Sequence, residues 1–251
     1  MALTVKAHKG DAKTLLAFDL PEDESTRLAG FTIQVQPGSG RSYYLWNELQ
    51  FEKPGDHAQV DSERCYPEDP GGVAETAARL AEAGAAGFSI EDYDPATDRI
   101  DDVGLASERV AEAAAAARSL PEPLLLTGRC ENHIRGVDDL DDTIARLVAY
   151  RDAGADVVYA PGLATIEQVR EVVDAVGVPV NVLALPRGPA VAELAAAGVR
   201  RVSTGGALAR AAYGALLTAA QELRDPGTST YASAAPSSGD LEAALSRALD
   251  S

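Results

Sequence analysis

Six apolar runs in this chain end on, or carry, residues that can do chemistry. A run ending at 59–61 closes on Asp61, with Glu63 two positions on, and GFSIED (87–92) closes on Glu91 and Asp92. PLLLTGR (123–129) ends in Arg129, followed by Glu131. ADVVYAPG (155–162) reaches Pro161, VPVNVLA (178–184) carries Asn181, and VRRVSTG (199–205) carries Ser203. Three successive runs therefore offer an acid, an acid and an arginine. Clustered carboxylates without His or Cys suit a hard, oxygen-seeking ion such as Mg²⁺. A neighbouring arginine suits a carboxylate or phosphoryl group through a bidentate contact. Together they describe a site for a small anionic oxo-acid. The chain carries 22 Lys+Arg against 39 Asp+Glu, a net charge of −17, so such a substrate needs the metal and the arginine to offset general repulsion.

Each of these residues also has a purely structural reading. Acids at strand ends cap the next helix and complement its dipole. For Glu91–Asp92 the two readings weigh equally, and for Asp61 and Glu63 the polar loop DSERCYPED favours the structural one. Arg129 follows an apolar stretch and needs a partner, which favours function. Asn181 interrupts an apolar strand, so it either lines a site or answers a structural hydrogen bond. Cys65 and Cys130 read as small filler and His133 as a loop residue. Gly205–Gly206 reads as close packing at the end of the last strand in preference to a phosphate cradle. G-x-S-x-G, Walker, H-E-x-x-H and C-x-x-C motifs are absent.

The elements that must position these residues alternate. Helical periodicity marks 71–84, 105–120, 139–154, 165–177, 190–198 and 206–223, with Thr165 as a cap and Gly154 as a stop. Nearly continuous apolar strands between amphipathic helices indicate a buried parallel sheet of about six strands. In a β/α barrel the C-terminal strand ends form the active-site face, which is where these residues fall. The first quarter differs. All four lysines (Lys6, Lys9, Lys13, Lys53) lie there, and TLLAF (14–18), FTIQVQ (31–36) and RSYYLW (41–46) read as strands, the last two joined by a PGSG turn. The expected organisation is a β-rich segment over 1–59, a βα barrel over 60–224, and a linker with a short amphipathic helix over 225–251. The fold class is α/β: an incomplete TIM-like (β/α) barrel preceded by a small antiparallel β segment.

The acidity argues against nucleic acid and anionic membranes as partners. No apolar run reaches ~20 residues, and MALTVKAHKGDAKTLLAF lacks a secretory leader's apolar core. The 2 cysteines suit a reducing compartment. A cytoplasmic protein is expected.

VDSERCYPEDPGGVAETAARLAEAGAAGFSIED, LLLTGRCENHIRGVDDLDDTIARLVAYRDAGADVVYAPGL, VPVNVLALP and GVRRVSTGGALARAAYGAL together resemble the isocitrate lyase/phosphoenolpyruvate mutase superfamily over about 60–224. The resemblance implies a (β/α)₈ barrel, a homo-oligomer that exchanges its final helices, and Mg²⁺-dependent making or breaking of C–C or P–C bonds in keto or hydroxy acids. It implies Asp61 and Glu63 as metal ligands, and Glu91 as the acid holding a metal-bound water or assisting proton transfer. Arg129 matches the arginine for the substrate anion and Asn181 a pocket asparagine. Three departures accompany it. IEDYDPATDRIDDVGLA lacks the Cys-Gly-His loop of isocitrate and methylisocitrate lyases, which argues against those two activities. Cys65 stands where the family has glycine. The family's first two strands are missing. Residues 1–59 are instead similar to the N-terminal β region of phospholipase D-like proteins, without that family's H-x-K-x₄-D motif, since His8 and Lys9 are adjacent. The competing expectation is a catalytically impaired chimera, a barrel remnant fused to a β domain.

Overall fold

The computed structural model describes the backbone of residues 4–10, 13–19, 34–35, 43–45 and 58–240, and side chains from 59 to 240. The six parallel strands are β5 (Ala58–Asp61), β6 (Ala85–Glu91), β9 (Leu125–Arg129), β10 (Val157–Tyr159), β11 (Val180–Leu183) and β12 (Arg201–Ser203). They run side by side in that order as an incomplete, curled half-barrel. At the β5 edge the sheet continues with β4 (Tyr43–Leu45) and β3 (Gln34–Val35), both antiparallel. This is the hairpin expected around PGSG: it extends the sheet beyond β5, and among the described residues no strand joins this edge to β12. The strand expected at 14–18 is β2 (Lys13–Asp19), which pairs with an unforeseen β1 (Thr4–Gly10) as a separate two-stranded sheet. The phospholipase D-like resemblance of 1–59 and the helix expected at 241–250 rest on residues outside those described.

Helices α1 (Gly72–Glu82), α2 (Val103–Ser119), α3 (Leu140–Asp152), α4 (Ile166–Val176) and α5 (Val191–Ala196) follow successive strands and pack in sequence along one face. Their ends follow local chemistry. Asp102 and Asp139 accept hydrogen bonds from the backbone N–H of Gly104 and Asp142, capping α2 and α3. Thr165 and Gln168 form a reciprocal capping box on α4, which stops at Gly177 in the left-handed region, φ 67°. The core lies between this helix layer and the sheet, built from Phe88, Ile90, Leu126, Val158, Val182 and the helix residues facing them. Two close approaches need glycine. A Cβ on Gly128 would lie 2.9 Å from the Tyr150 Cβ of α3, and one on Gly87 would lie 2.5 Å from the Leu125 carbonyl. The last long helix, α6 (Ala207–Arg224), differs from the others, since none of its residues is buried.

Parallel pairing sets one row across the sheet. Glu91 pairs with Arg129, Arg129 with Tyr159, Tyr159 with Asn181, and Asn181 with Arg201. Residues in register project to the same face, so the row forms one layer; Glu91, Arg129 and Tyr159 end their strands, whereas Asn181 lies inside β11 and Arg201 begins β12.

Candidate active site

The layer is organised around Arg129. Its Nη1 lies 2.8 Å from Asp61 Oδ2 and 3.2 Å from Glu91 Oε2, and its Nε donates to Glu131 Oε1 at 2.6 Å. The guanidinium also lies 5.4 Å from the Tyr159 ring centre. Glu131 is fully buried and takes a second guanidinium, Arg135, at 3.1 Å. Arg135 in turn stacks on the Tyr93 ring. Burial opposes the charge on Arg129, but Glu91, Asp61 and Glu131 outweigh it and raise its pKa. The reverse holds for Glu91. Burial pushes its pKa up from 4.5 to about 8; Arg129 pulls it down, while Glu131, Asp61 and Glu63 add to the rise. Two guanidiniums, Arg129 and Arg135, face three carboxylates, and Arg135 reaches only Glu131. Glu91 makes the longest of the three Arg129 contacts, and burial favours its protonated form.

The capping reading of the acids does not hold for Glu91 and Asp92. A short hairpin, β7 (Tyr93–Asp94) with β8 (Arg99–Ile100), separates them from α2, whose cap is Asp102. Asp92 belongs to a buried structural network. It accepts from the Tyr150 hydroxyl at 2.5 Å, from the Glu131 backbone N–H at 2.9 Å, and from Arg146 at 3.3 Å. Helix α3 thereby holds Glu131, and through it Arg129.

The loop after β5 is backbone-strained. Glu63, Cys65 and Tyr66 have φ of 49°, 57° and 47°, in the region that favours glycine. Cys65, the residue standing in for glycine, thus adopts a glycine-like conformation. Two contacts tie the loop to β6: the Glu63 carbonyl accepts the Glu91 N–H at 2.8 Å, and the Ser62 hydroxyl donates to the Ser89 carbonyl at 2.5 Å. Both thiols are buried, and burial raises their pKa, that of Cys65 to about 12. His133 sits in a 3₁₀ turn with Nδ1 3.3 Å from Asp138.

Two cavities open beside Arg129. The smaller, about 190 Å³, is lined by Asp61, Glu63, Glu91, Tyr93 and Arg135 among others. The larger, about 320 Å³, runs past Tyr159, Asn181 and Ser203 to the start of α6. Asp61, Glu63 and Glu91 thus share one cavity, and Asn181 lies in the other. Asn181 Nδ2 lies 3.1 Å from the Ser203 hydroxyl, and its Oδ1 has no partner. Sequence reasoning placed Glu131 beside Arg129 without giving it a role, and passed over Arg135 and Tyr159. Tyr159 ends its strand and could be found by counting register from Arg129. Arg135 comes from a turn and carries no periodic signal.

Among the described residues no group of three or more His, Cys, Asp or Glu is gathered to hold a metal. The donor chemistry nevertheless fits Mg²⁺: the acids around the smaller cavity are all carboxylates. Mg²⁺ is commonly held by one or two carboxylates together with water and substrate oxygens, and needs no closed protein cage.

Residues 57–224 match the model of the phosphoenolpyruvate phosphomutase family. The chain belongs to that family. This phosphomutase-family chain is 53% identical to a candidate lyase/mutase of Burkholderia cenocepacia, with TM-score 0.68, covering 74% of this chain and 68% of the other. It is 25% identical to an oxaloacetate acetylhydrolase solved with its product oxalate, with TM-score 0.62, covering 76% and 66% of the two chains. An uncharacterized protein of Mycobacterium tuberculosis is 33% identical over 150 residues, 59% of this chain and 54% of that protein. The phosphomutase-family chain therefore spans about half the length of the curated relatives it matches. No helix among the described residues is long and apolar enough to cross a membrane.

Proposed function

We propose that the chain is a Mg²⁺-dependent, lyase- or mutase-like enzyme acting on C–C or P–C bonds of small keto or hydroxy acids. The observation that carries this reading is the convergence of Asp61, Glu91 and Glu131 on Arg129 at the C-terminal ends of adjacent parallel strands. Asp61, Glu63 and Glu91 would hold the ion. When bound, Mg²⁺ stabilises the negative charge that develops on the oxygens of an enolate-like species. Glu91 would give up its proton when the ion binds, and as a carboxylate it would hold a metal-bound water or receive a proton. Arg129 binds carboxylates through Nε and Nη1, which leaves Nη2 for a substrate oxyanion. Asn181 offers its unpartnered amide atom to the same substrate.

Within this reading 1–59 is a β-rich segment of phospholipase D-like ancestry without phosphodiesterase chemistry. Residues 60–224 are the working barrel unit, and 225–251 are a linker and final helix. The chain works in the cytoplasm and associates with itself through its final helices. The open sheet, with six parallel strands and an antiparallel extension, supports a second reading: a catalytically impaired chimera. Turnover assays on oxaloacetate and phosphonopyruvate separate the two. The enzyme reading expects turnover that disappears with a chelator and falls about 100-fold or more in Arg129→Lys, which keeps charge but loses the fork. Undetectable Mg²⁺ binding by calorimetry overturns it.

A further inference from the structure

Arg64 sits between two strained residues in the loop after β5. Glu63 before it and Cys65 after it both have positive φ, 49° and 57°. Residues other than glycine keep that conformation only where the surroundings enforce it. Here it separates neighbours. Glu63 lines the smaller cavity, whereas Arg64 reaches the β7–β8 hairpin.

The Arg64 guanidinium grips the hairpin at both ends. Nη1 lies 3.1 Å from Asp94 Oδ1 in β7, and Nη2 lies 3.3 Å from Asp101 Oδ2, one residue past β8. Nη1 also lies 3.0 Å from Glu68 in its own loop. Asp101 is anchored to the body of the fold by other groups. Its carboxylate meets Arg109 of α2, its carbonyl accepts from Arg146 of α3 at 2.8 Å, and its N–H donates to the Asp92 carbonyl at 2.7 Å. The hairpin in turn supplies Tyr93 and Pro95 to the cavity that Glu63 lines.

These pairs differ from the surface pair on α1. The side chains of Arg64 and Asp94 are each 13% exposed, whereas Arg79, paired with Glu75, is 74% exposed. An exposed pair is screened and contributes little. Removing one partner of a shielded pair leaves the other charge uncompensated.

We propose that Arg64 is a positioning residue that locks the Glu63 loop to the β7–β8 hairpin, so that these two walls of the smaller cavity open as one unit. The lock stands on its own contacts; its service to a bound ion rests on the metal reading of Glu63. Amide hydrogen exchange on the full chain reads the lock. Arg64→Met should speed exchange ~10-fold or more in both 62–66 and 93–101, with α3 and α4 unchanged. Arg64→Lys should recover part of the protection, since an ammonium lacks the fork that spans two carboxylates. Asp94→Asn leaves Arg64 in place and alters only the hairpin, yet it should also speed exchange in 62–66. Arg79→Met should alter neither segment. Loosening of one segment without the other, or an equal loss across the whole chain, overturns the lock. Calorimetry with Mg²⁺ reads the consequence: Arg64→Met should weaken binding ~10-fold or more. Equal Mg²⁺ affinity in parent and variant overturns the positioning role and leaves the metal reading intact. Coupled exchange in a parent that binds no Mg²⁺ upholds the lock and sinks the metal reading.

Discussion

Glu91 and Arg129 face each other in register and hold opposite relations to charge. Arg129 is drawn further into its charged form, whereas Glu91, in the same buried layer, is pushed to about 8 by burial and by its competing carboxylates. Between 4.5, its ordinary value, and about 8 the folded chain holds a proton at Glu91 that the unfolded chain has released. The contribution of this group to stability is thus fully present below 4.5 and lost as pH rises through about 8. The denaturant midpoint should fall across that window. Glu91→Gln keeps the neutral shape and should remove most of the fall. An unchanged pH slope in the variant would mean that Glu91 is ionised throughout.

At the scale of elements, the site depends on how α3 sits against β9. Tyr150 of α3 reaches Asp92, Asp92 accepts the Glu131 N–H, and Glu131 holds Arg129. Gly128 permits this approach, because a methyl group there would lie 2.9 Å from Tyr150 Cβ and 3.1 Å from Ala155 Cβ. Gly128→Ala should cost about 1–3 kcal/mol through overpacking, read as a lower denaturant midpoint. It should also reduce turnover, because Arg129 is the next residue. Full stability in the variant would show that α3 can shift away freely. The βα alternation was legible here, since amphipathic helices, caps such as Thr165 and stops such as Gly154 and Gly177 act locally. The β7–β8 hairpin was not, because two-residue strands leave no periodic signal.

At the scale of the whole molecule, the conspicuous feature is α6. A helix of 18 residues with none buried exposes Leu208, Tyr213, Leu216, Leu217 and Leu223. Tyr213, Leu216 and Leu217 follow helical spacing and share one face. Fully burying such a side chain is worth roughly 1.5–3 kcal/mol each, so the proposed self-association predicts that this face is covered. The chain should sediment above its 26.1 kDa monomer mass. The double variant Leu216→Asp, Leu217→Asp should return it to monomer with its helix content retained. A parent that sediments as a monomer at micromolar concentration would overturn association through this face.

Residue type and spacing alone placed Asp61, Glu91 and Arg129 at strand ends, Glu63 just beyond one and Asn181 within one, and alternation alone indicated about six parallel strands. Both are local properties: apolar runs make strands, and polar residues collect where strands leave the core. Only the tertiary structure decided which of those residues meet. Inter-strand register sets Glu91 beside Arg129 and Tyr159 beside Asn181. Long-range packing of α3 buries Glu131 and Asp92, and with them the charge balance that lets Glu91 keep its proton. The placement of the N-terminal strands was likewise a tertiary matter. Edge pairing on β5 depends on two segments finding each other in space, and strand propensity does not encode which edge a strand will join.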